Sequence, residues 1–172
     1  SRQSRGLGDV YKRQVQTMAT STMIGTKAPE FSLDSSEGTK FSSSDMSGSW
    51  YVLFFYAKDG SPTCKRGCLS FKEQYNLFKS LEPPVEIVGV SQDTAEDHKK
   101  FKEELKLPFA LLSDEDRKVA DSFGVPVHLG RFPAKSSFVI DPEGVIRHVY
   151  DWQFRPRHHV AKILDSLSSI TE

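Results

Sequence analysis

The chain has 172 residues, with 23 basic and 23 acidic side chains, so its formal net charge is zero. That balance removes the electrostatic case for a nucleic-acid footprint, and no apolar run approaches the roughly 18 residues that a membrane-spanning helix needs. Two cysteines in a chain of this length do not make a disulfide-stapled secreted scaffold, while the length suits one domain with a sizeable core.

Residues 1–26 show no apolar periodicity, and the segment SRQSRGLGDVYKRQ is mostly basic. It reads as an unstructured leader, of the adaptor-derived kind found in transcriptome reading frames, with an organelle transit peptide as the rival reading. Met18 or Met23 would then be the native start. The folded domain is expected over residues 27–172.

From Pro29 to Met46 a β-hairpin is expected: Phe31 and Leu33 alternate with polar residues, Ser36-Glu37-Gly38 turns, and Thr39 to Phe41 returns. Ser42 to Asp45 begins a helical turn. Trp50 to Tyr56 is apolar or aromatic without a break, the pattern of a strand buried on both faces. Ala57 to Thr63 is a polar loop with Gly60 and Pro62 as breakers. The period then changes: Cys68, Phe71, Tyr75 and Phe78 follow at spacings of three and four, one face of a helix. Pro83-Pro84 closes it.

Val85 to Val90 is a second buried strand. Thr94 to Leu105 is a charged helix with Ala95, His98, Phe101 and Leu105 as its stripe, His98 reading as a half-buried face residue rather than a ligand. Phe109 to Leu112 is a third strand, and Arg117 to Phe123 a short helix ended by Gly124. Val125 to Ala134 is a loop. Ser136 to Ile140 and Val145 to Tyr150 form a hairpin across Asp141-Pro142-Glu143-Gly144. Pro156 opens a last helix with Val160, Ile163, Leu164, Leu167 and Ile170 on one side, and His158-His159 is expected to be solvated. The order β-hairpin, βα, βα, βα, β-hairpin, α is an α/β plan: a thioredoxin-like fold, its central mixed sheet flanked by helices and carrying an N-terminal β-hairpin.

Both cysteines fall at one junction. Thiolate is the nucleophilic form of cysteine, and a helix N-terminus favours negative charge. Cys64 lies in the first turn after the breaker-rich loop, with Cys68 four residues on. Two structural core cysteines are the bland alternative. Their confinement to one helix start favours a reactive Cys64 with Cys68 as its resolving partner. Ser61 offers a hydroxyl three residues ahead of Cys64. Neighbours at this spacing on an intact helix have Cβ atoms roughly 5–6 Å apart, whereas a disulfide needs about 3.8 Å. Bond formation therefore requires the first turn to loosen. A zinc site is disfavoured, because none of the five histidines shows ligand spacing with the cysteines.

The segments FFYAKDGSPTCKRGCLSFKEQY, VGVSQDTAEDHKKF, LPFALLSDEDRKVADSFGV and SFVIDPEGVIRHVY resemble peroxiredoxin Q, also called the bacterioferritin comigratory protein family, from about Met23 to Leu167. The resemblance implies a thiol peroxidase without a cofactor. Its peroxidatic cysteine, here Cys64, attacks a hydroperoxide and becomes a sulfenic acid. A resolving cysteine on the same helix, here Cys68, closes an intramolecular disulfide, and thioredoxin or a similar dithiol reduces it. The family's active-site proline is Ala57 in this chain, its threonine is Ser61 and its arginine is Lys135; Arg131 is a possible substitute for the last. Its resolving position, five residues after the nucleophile, is Leu69. The resulting expectation is a slow peroxidase acting as a monomer on hydroperoxides, in cytoplasm or plastid, with no nucleic-acid or membrane partner. The alternatives are a thiol–disulfide oxidoreductase or redox sensor on the same fold, and a non-catalytic interaction module.

Overall fold

A computed structural model of the chain describes residues 23–126, 135–151 and 156–170. The strands are β1 (Ser32–Ser35), β2 (Lys40–Ser42), β3 (Trp50–Phe55), β4 (Val85–Ser91), β5 (Ala110–Ser113), β6 (Ser136–Ile140) and β7 (Ile146–Asp151). The helices are α1 (Pro62–Ser80), α2 (Ala95–Leu105), α3 (Lys118–Ser122) and α4 (Pro156–Ile170), with a 3-10 turn over Ser43–Met46. The strands form one mixed sheet in the order β2-β1-β5-β4-β3-β6-β7. β3, β4 and β5 run parallel, and β6 lies antiparallel to β3. The expected α/β plan, with its hairpin at each end of the chain, is the observed one.

The unbroken apolar run of β3 follows from its place in the middle of the sheet. Its side chains alternate between two cores. Val52, Phe54 and Tyr56 join Cys64, Cys68, Phe71 and Phe78 of α1 and Val160, Ile163 and Leu167 of α4 on one face. Tyr51, Leu53 and Phe55 join Phe123, Phe138, Ile140 and Ile146 on the other. The seat of α1 is aromatic: Phe54 stacks on Phe71 with ring centroids 4.5 Å apart, and Phe109 meets Phe54 edge-on at 5.7 Å. Such pairs contribute about 0.5–1.5 kcal/mol beyond their buried area.

Several boundaries differ from the sequence reading. Helix α3 is only five residues long, because Arg117 takes a left-handed conformation and Asp114 supplies the cap, accepting from the Val119 and Ala120 amides at 3.1 and 2.9 Å. The domain's contacts also begin before residue 27. Met23 packs on the second core, Gly25 donates its amide to the Ile146 carbonyl at 2.7 Å, and Ile146 donates to the Thr26 carbonyl at 2.9 Å. Most of the loop expected over 125–134 lies outside the described residues.

Gly89 of β4 pairs with Phe54 across the ladder. A Cβ at that position would come within 2.7 Å of the Phe54 ring and 2.9 Å of Leu111. Glycine here makes the room that lets Phe54 support α1. Gly89→Ala is expected to lower the free energy of unfolding by about 1–3 kcal/mol, read as a lower urea midpoint at unchanged slope. An unchanged midpoint would contradict this close approach.

Candidate active site

The chain leaves β3 at Tyr56, whose amide still donates to the Val90 carbonyl at 3.0 Å, and crosses a short loop to α1. Ser61 is the N-cap, in extended conformation, and Pro62 occupies the first helical position. Proline fits there because its missing N–H has no partner in the helix and its φ is already helical. The Ser61 carbonyl accepts the first helical bond, from Lys65 at 2.9 Å. The Ser61 hydroxyl does not cap the helix, which leaves it half-buried beside the first turn. Cys64 is thus the third residue of α1, in the turn whose N–H groups have no helical acceptor.

Cys64 and Cys68 are free thiols, each 0% exposed on the inner face of one continuous helix. Their surroundings differ. Lys135 immediately precedes Ser136, which pairs with Phe55 at the end of β3, and its side chain is buried. Burial pushes the Lys135 ammonium below its usual range, Cys64 pulls it back up, and Arg66 pushes it down. Cys64 and Lys135 therefore share one field at the start of α1. Arg131, the possible substitute cation, lies outside the described residues.

Cys68 faces the opposite sign of charge. Burial, then Asp59, then Cys64 push its thiol well above the usual range. Asp59 belongs to a buried cluster that the sequence reading did not assemble. Tyr56 donates its hydroxyl to Asp59 Oδ1 at 2.6 Å, and His98 Nδ1 lies 2.8 Å from Asp59 Oδ2. His98 Nε2 is 3.0 Å from the Leu112 carbonyl, with Ser91 Oγ at 3.3 Å. The Asp59 amide donates to Asp93 Oδ2 at 3.0 Å, and Ser91 Oγ donates to the same oxygen at 2.5 Å. His98 is fully buried, not half-buried as its stripe position implied. The available signal was a polar residue on an apolar stripe, which must find partners once buried. Burial also raises the Tyr56 hydroxyl well above its ordinary range, followed by the negative charge of Cys68 and Asp59.

Asp59, Asp93 and His98 bring ligand-type atoms within 4.8 Å of one another. Their geometry suits protons better than a metal. Two ligands on a tetrahedral zinc stand roughly 3.4 Å apart, whereas Nδ1 and Oδ2 are at 2.8 Å, and Asp93 Oδ2 already accepts two hydrogen bonds.

His159 corrects a second expectation. His158 is exposed, but His159 is buried, shares a 2.8 Å hydrogen bond with Ser137 Oγ, and meets Phe71 and Tyr150 edge-on at 6.5 and 5.9 Å. The first turn of α4 leans inward on α1, so adjacent histidines point to different media. Burial, with Lys162 and His158 nearby, holds His159 down at about 3. It is a neutral wall of the cysteine-side core.

The AhpC/TSA family model matches residues 24–149. Peroxiredoxin Q, chloroplastic, of Sedum lineare is 40% identical over 147 residues, 85% of this chain and 78% of the relative. The protein of the same name from Oryza sativa subsp. japonica is 39% identical over 147 residues, 85% of this chain and 67% of the relative. Among solved structures, peroxiredoxin Q of Xanthomonas campestris superposes with a TM-score of 0.74 at 26% identity, covering 83% of this chain and 92% of its own. Peroxidoxin BcpB of Mycobacterium tuberculosis gives 0.76 at 30% identity, covering 86% and 97%.

The His159 environment has a pH consequence. The unfolded chain takes up a proton near the ordinary value of 6.5, whereas the folded chain does so only near 3. Between those values the unfolded state binds more protons, so this group makes stability fall as pH falls. Proton NMR is expected to show a His159 ring with no titration between pH 8 and 5. His159→Gln should flatten the acid side of the stability profile by up to about 1.4 kcal/mol per pH unit. A His159 titrating near 6.5 would contradict the buried placement.

Proposed function

This chain is a member of the AhpC/TSA family, a thiol peroxidase of the peroxiredoxin type, and from that premise we propose that Cys64 is its peroxidatic cysteine and Cys68 its resolving cysteine. The observation that carries the assignment is the position of Cys64: third residue of α1, with Lys135 sharing its field. Burial, with the negative charge of Asp59 added, holds the Cys68 thiol well above its usual range instead, an environment that disfavours a resting thiolate.

The chemistry follows from the placement. The Cys64 thiolate attacks one oxygen of a hydroperoxide; an S–O bond forms, the O–O bond breaks, and the departing oxygen leaves as water or an alcohol after taking up a proton. Cys64 is then a sulfenic acid. Cys68 sulfur attacks the Cys64 sulfur, the S–O bond breaks, and the hydroxyl leaves as water with the Cys68 proton. A thioredoxin-type dithiol returns both thiols by exchange. Hydroperoxide substrate, dithiol reductant, a monomeric enzyme and a cytoplasmic or plastid location are parts of this proposal. The last has the support of relatives named chloroplastic. None of the described helices is long and apolar enough to cross a membrane.

Four features set this site apart from the family pattern. Ala57 replaces a proline, which frees the backbone after β3. Ser61 keeps the hydroxyl of threonine without the methyl that stiffens χ1. Lys135 keeps the charge of arginine without the planar fork that holds two oxygens at once. Leu69 fills the usual resolving position, and it is half-buried against the core. A shift from position 69 to 68 turns a side chain by about 100° around a helix, here onto the inner face where Cys64 lies.

Stopped-flow oxidation by hydrogen peroxide is expected to give a sulfenic acid on Cys64, and Cys64→Ser to abolish it. Cys68→Ser should keep this first step and lose thioredoxin-coupled turnover. If peroxide leaves Cys64 unoxidised, the assignment fails. Lys135→Met should slow the first step about tenfold or more, as expected for losing one charge-assisted contact of about 1.5–3 kcal/mol, and Lys135→Arg should restore or raise it. A Lys135→Met enzyme as fast as the parent would remove Lys135 from the site.

A further inference from the structure

The loop between β3 and α1 carries no regular structure, yet three buried side chains hold it. Asp59 is the hub. Its carboxylate takes the Tyr56 hydroxyl at 2.6 Å and His98 Nδ1 at 2.8 Å, and its amide binds Asp93 Oδ2 at 3.0 Å. His98 reaches past the loop to the Leu112 carbonyl at 3.0 Å. A carbonyl only accepts, so Nε2 donates there, and the Nδ1 contact holds one further proton shared between ring and carboxylate. One imidazole thereby ties the loop ahead of Cys64 to α2 and β5. Tyr56 shares one buried core with Cys64 and Cys68, and the negative charge of Asp59 is felt at the Cys68 thiol.

We propose that Tyr56, Asp59 and His98 are positioning residues that latch the start of α1 in its helical form, and so set how long a Cys64 sulfenic acid lasts before Cys68 captures it. The inference rests on the peroxidase reading above. Helical neighbours at this spacing stand roughly 5–6 Å apart at Cβ, against about 3.8 Å in a disulfide, so capture requires the first turn to unwind. The latch opposes that motion, because His98 and Asp93 fix the loop feeding the turn, and Tyr56 of the latch is buried in one core with Cys64 and Cys68. It favours the form that presents Cys64 to peroxide and disfavours the form in which the disulfide closes. In the closing step the Cys64–Cys68 S–S bond forms, the Cys64 S–O bond breaks, and the hydroxyl leaves with the Cys68 proton as water. A second hydroperoxide competes for the same sulfenic acid and converts it to a sulfinic acid, so the latch governs the division between disulfide and sulfinic acid.

The test measures both steps on the full chain by quenched-flow intact mass at rising hydrogen peroxide. His98→Leu, which removes both ends of the tie, is expected to slow Cys64 oxidation about tenfold and to speed disulfide closure by a similar factor. The peroxide concentration that gives half sulfinic acid should then rise at least tenfold. Tyr56→Phe removes one hydroxyl and keeps the ring; it should shift the same quantities in the same directions by a smaller factor, and it answers the question if His98→Leu fails to fold. Ile146→Val, in the opposite core, serves as a control for general destabilisation and should leave the division unchanged. A division unchanged in the folded variants, or shifted equally by Ile146→Val, overturns the latch. Failure of the parent chain to form a sulfenic acid at Cys64 overturns the underlying peroxidase assignment instead.

Discussion

A reactive thiol at the end of a helix is useful only if the end stays where the chemistry needs it, and in this protein that end is fixed from two directions. From below, Phe54 of β3 stacks on Phe71 of α1, in space that Gly89 leaves open. From the side, Ser61 and Pro62 define where the helix begins, and the Asp59 carboxylate ties the preceding loop to His98 of α2, which in turn reaches the Leu112 carbonyl of β5. The inner face of α1 then has one register. Cys64, Cys68, Phe71 and Phe78 are all buried along it.

The two sulfurs belong to one helix face but to different electrostatic environments. The negative charge of Cys64 is felt at Lys135 at the start of β6, whereas that of Asp59, in the loop after β3, is felt at Cys68. The charge around the two cysteines therefore differs without any difference in residue type.

Much of this was legible in the residues. The unbroken run from Trp50 marks a central strand, and the spacing of Cys68, Phe71 and Phe78 marks the buried face of α1. Both depend on local periodicity, which the chain carries in itself. The domain class followed from the alternation of strand and helix patterns. What stayed hidden depends on contacts between distant segments. Asp59 and His98 are 39 residues apart, and nothing local in either announces the other. His158 and His159 look alike in sequence, yet the lean of α4 on α1 exposes one and buries the other. Lys135 was found through a family resemblance, and its neighbourhood with Cys64 came only with the β3–β6 pairing.

In the proposed cycle Cys64 and Cys68 exchange between an intact helical turn, when both are thiols, and an unwound one, when they are joined. Amide hydrogen exchange on residues 65–68, in the reduced protein and in protein oxidised by one equivalent of hydrogen peroxide, distinguishes the two forms. Protection of these amides in the reduced form and its loss by at least about a hundredfold on oxidation is the result predicted, because opening one helical turn exposes N–H groups that the helix had paired. Equal protection in both forms, with the Cys64–Cys68 bond present, would contradict it.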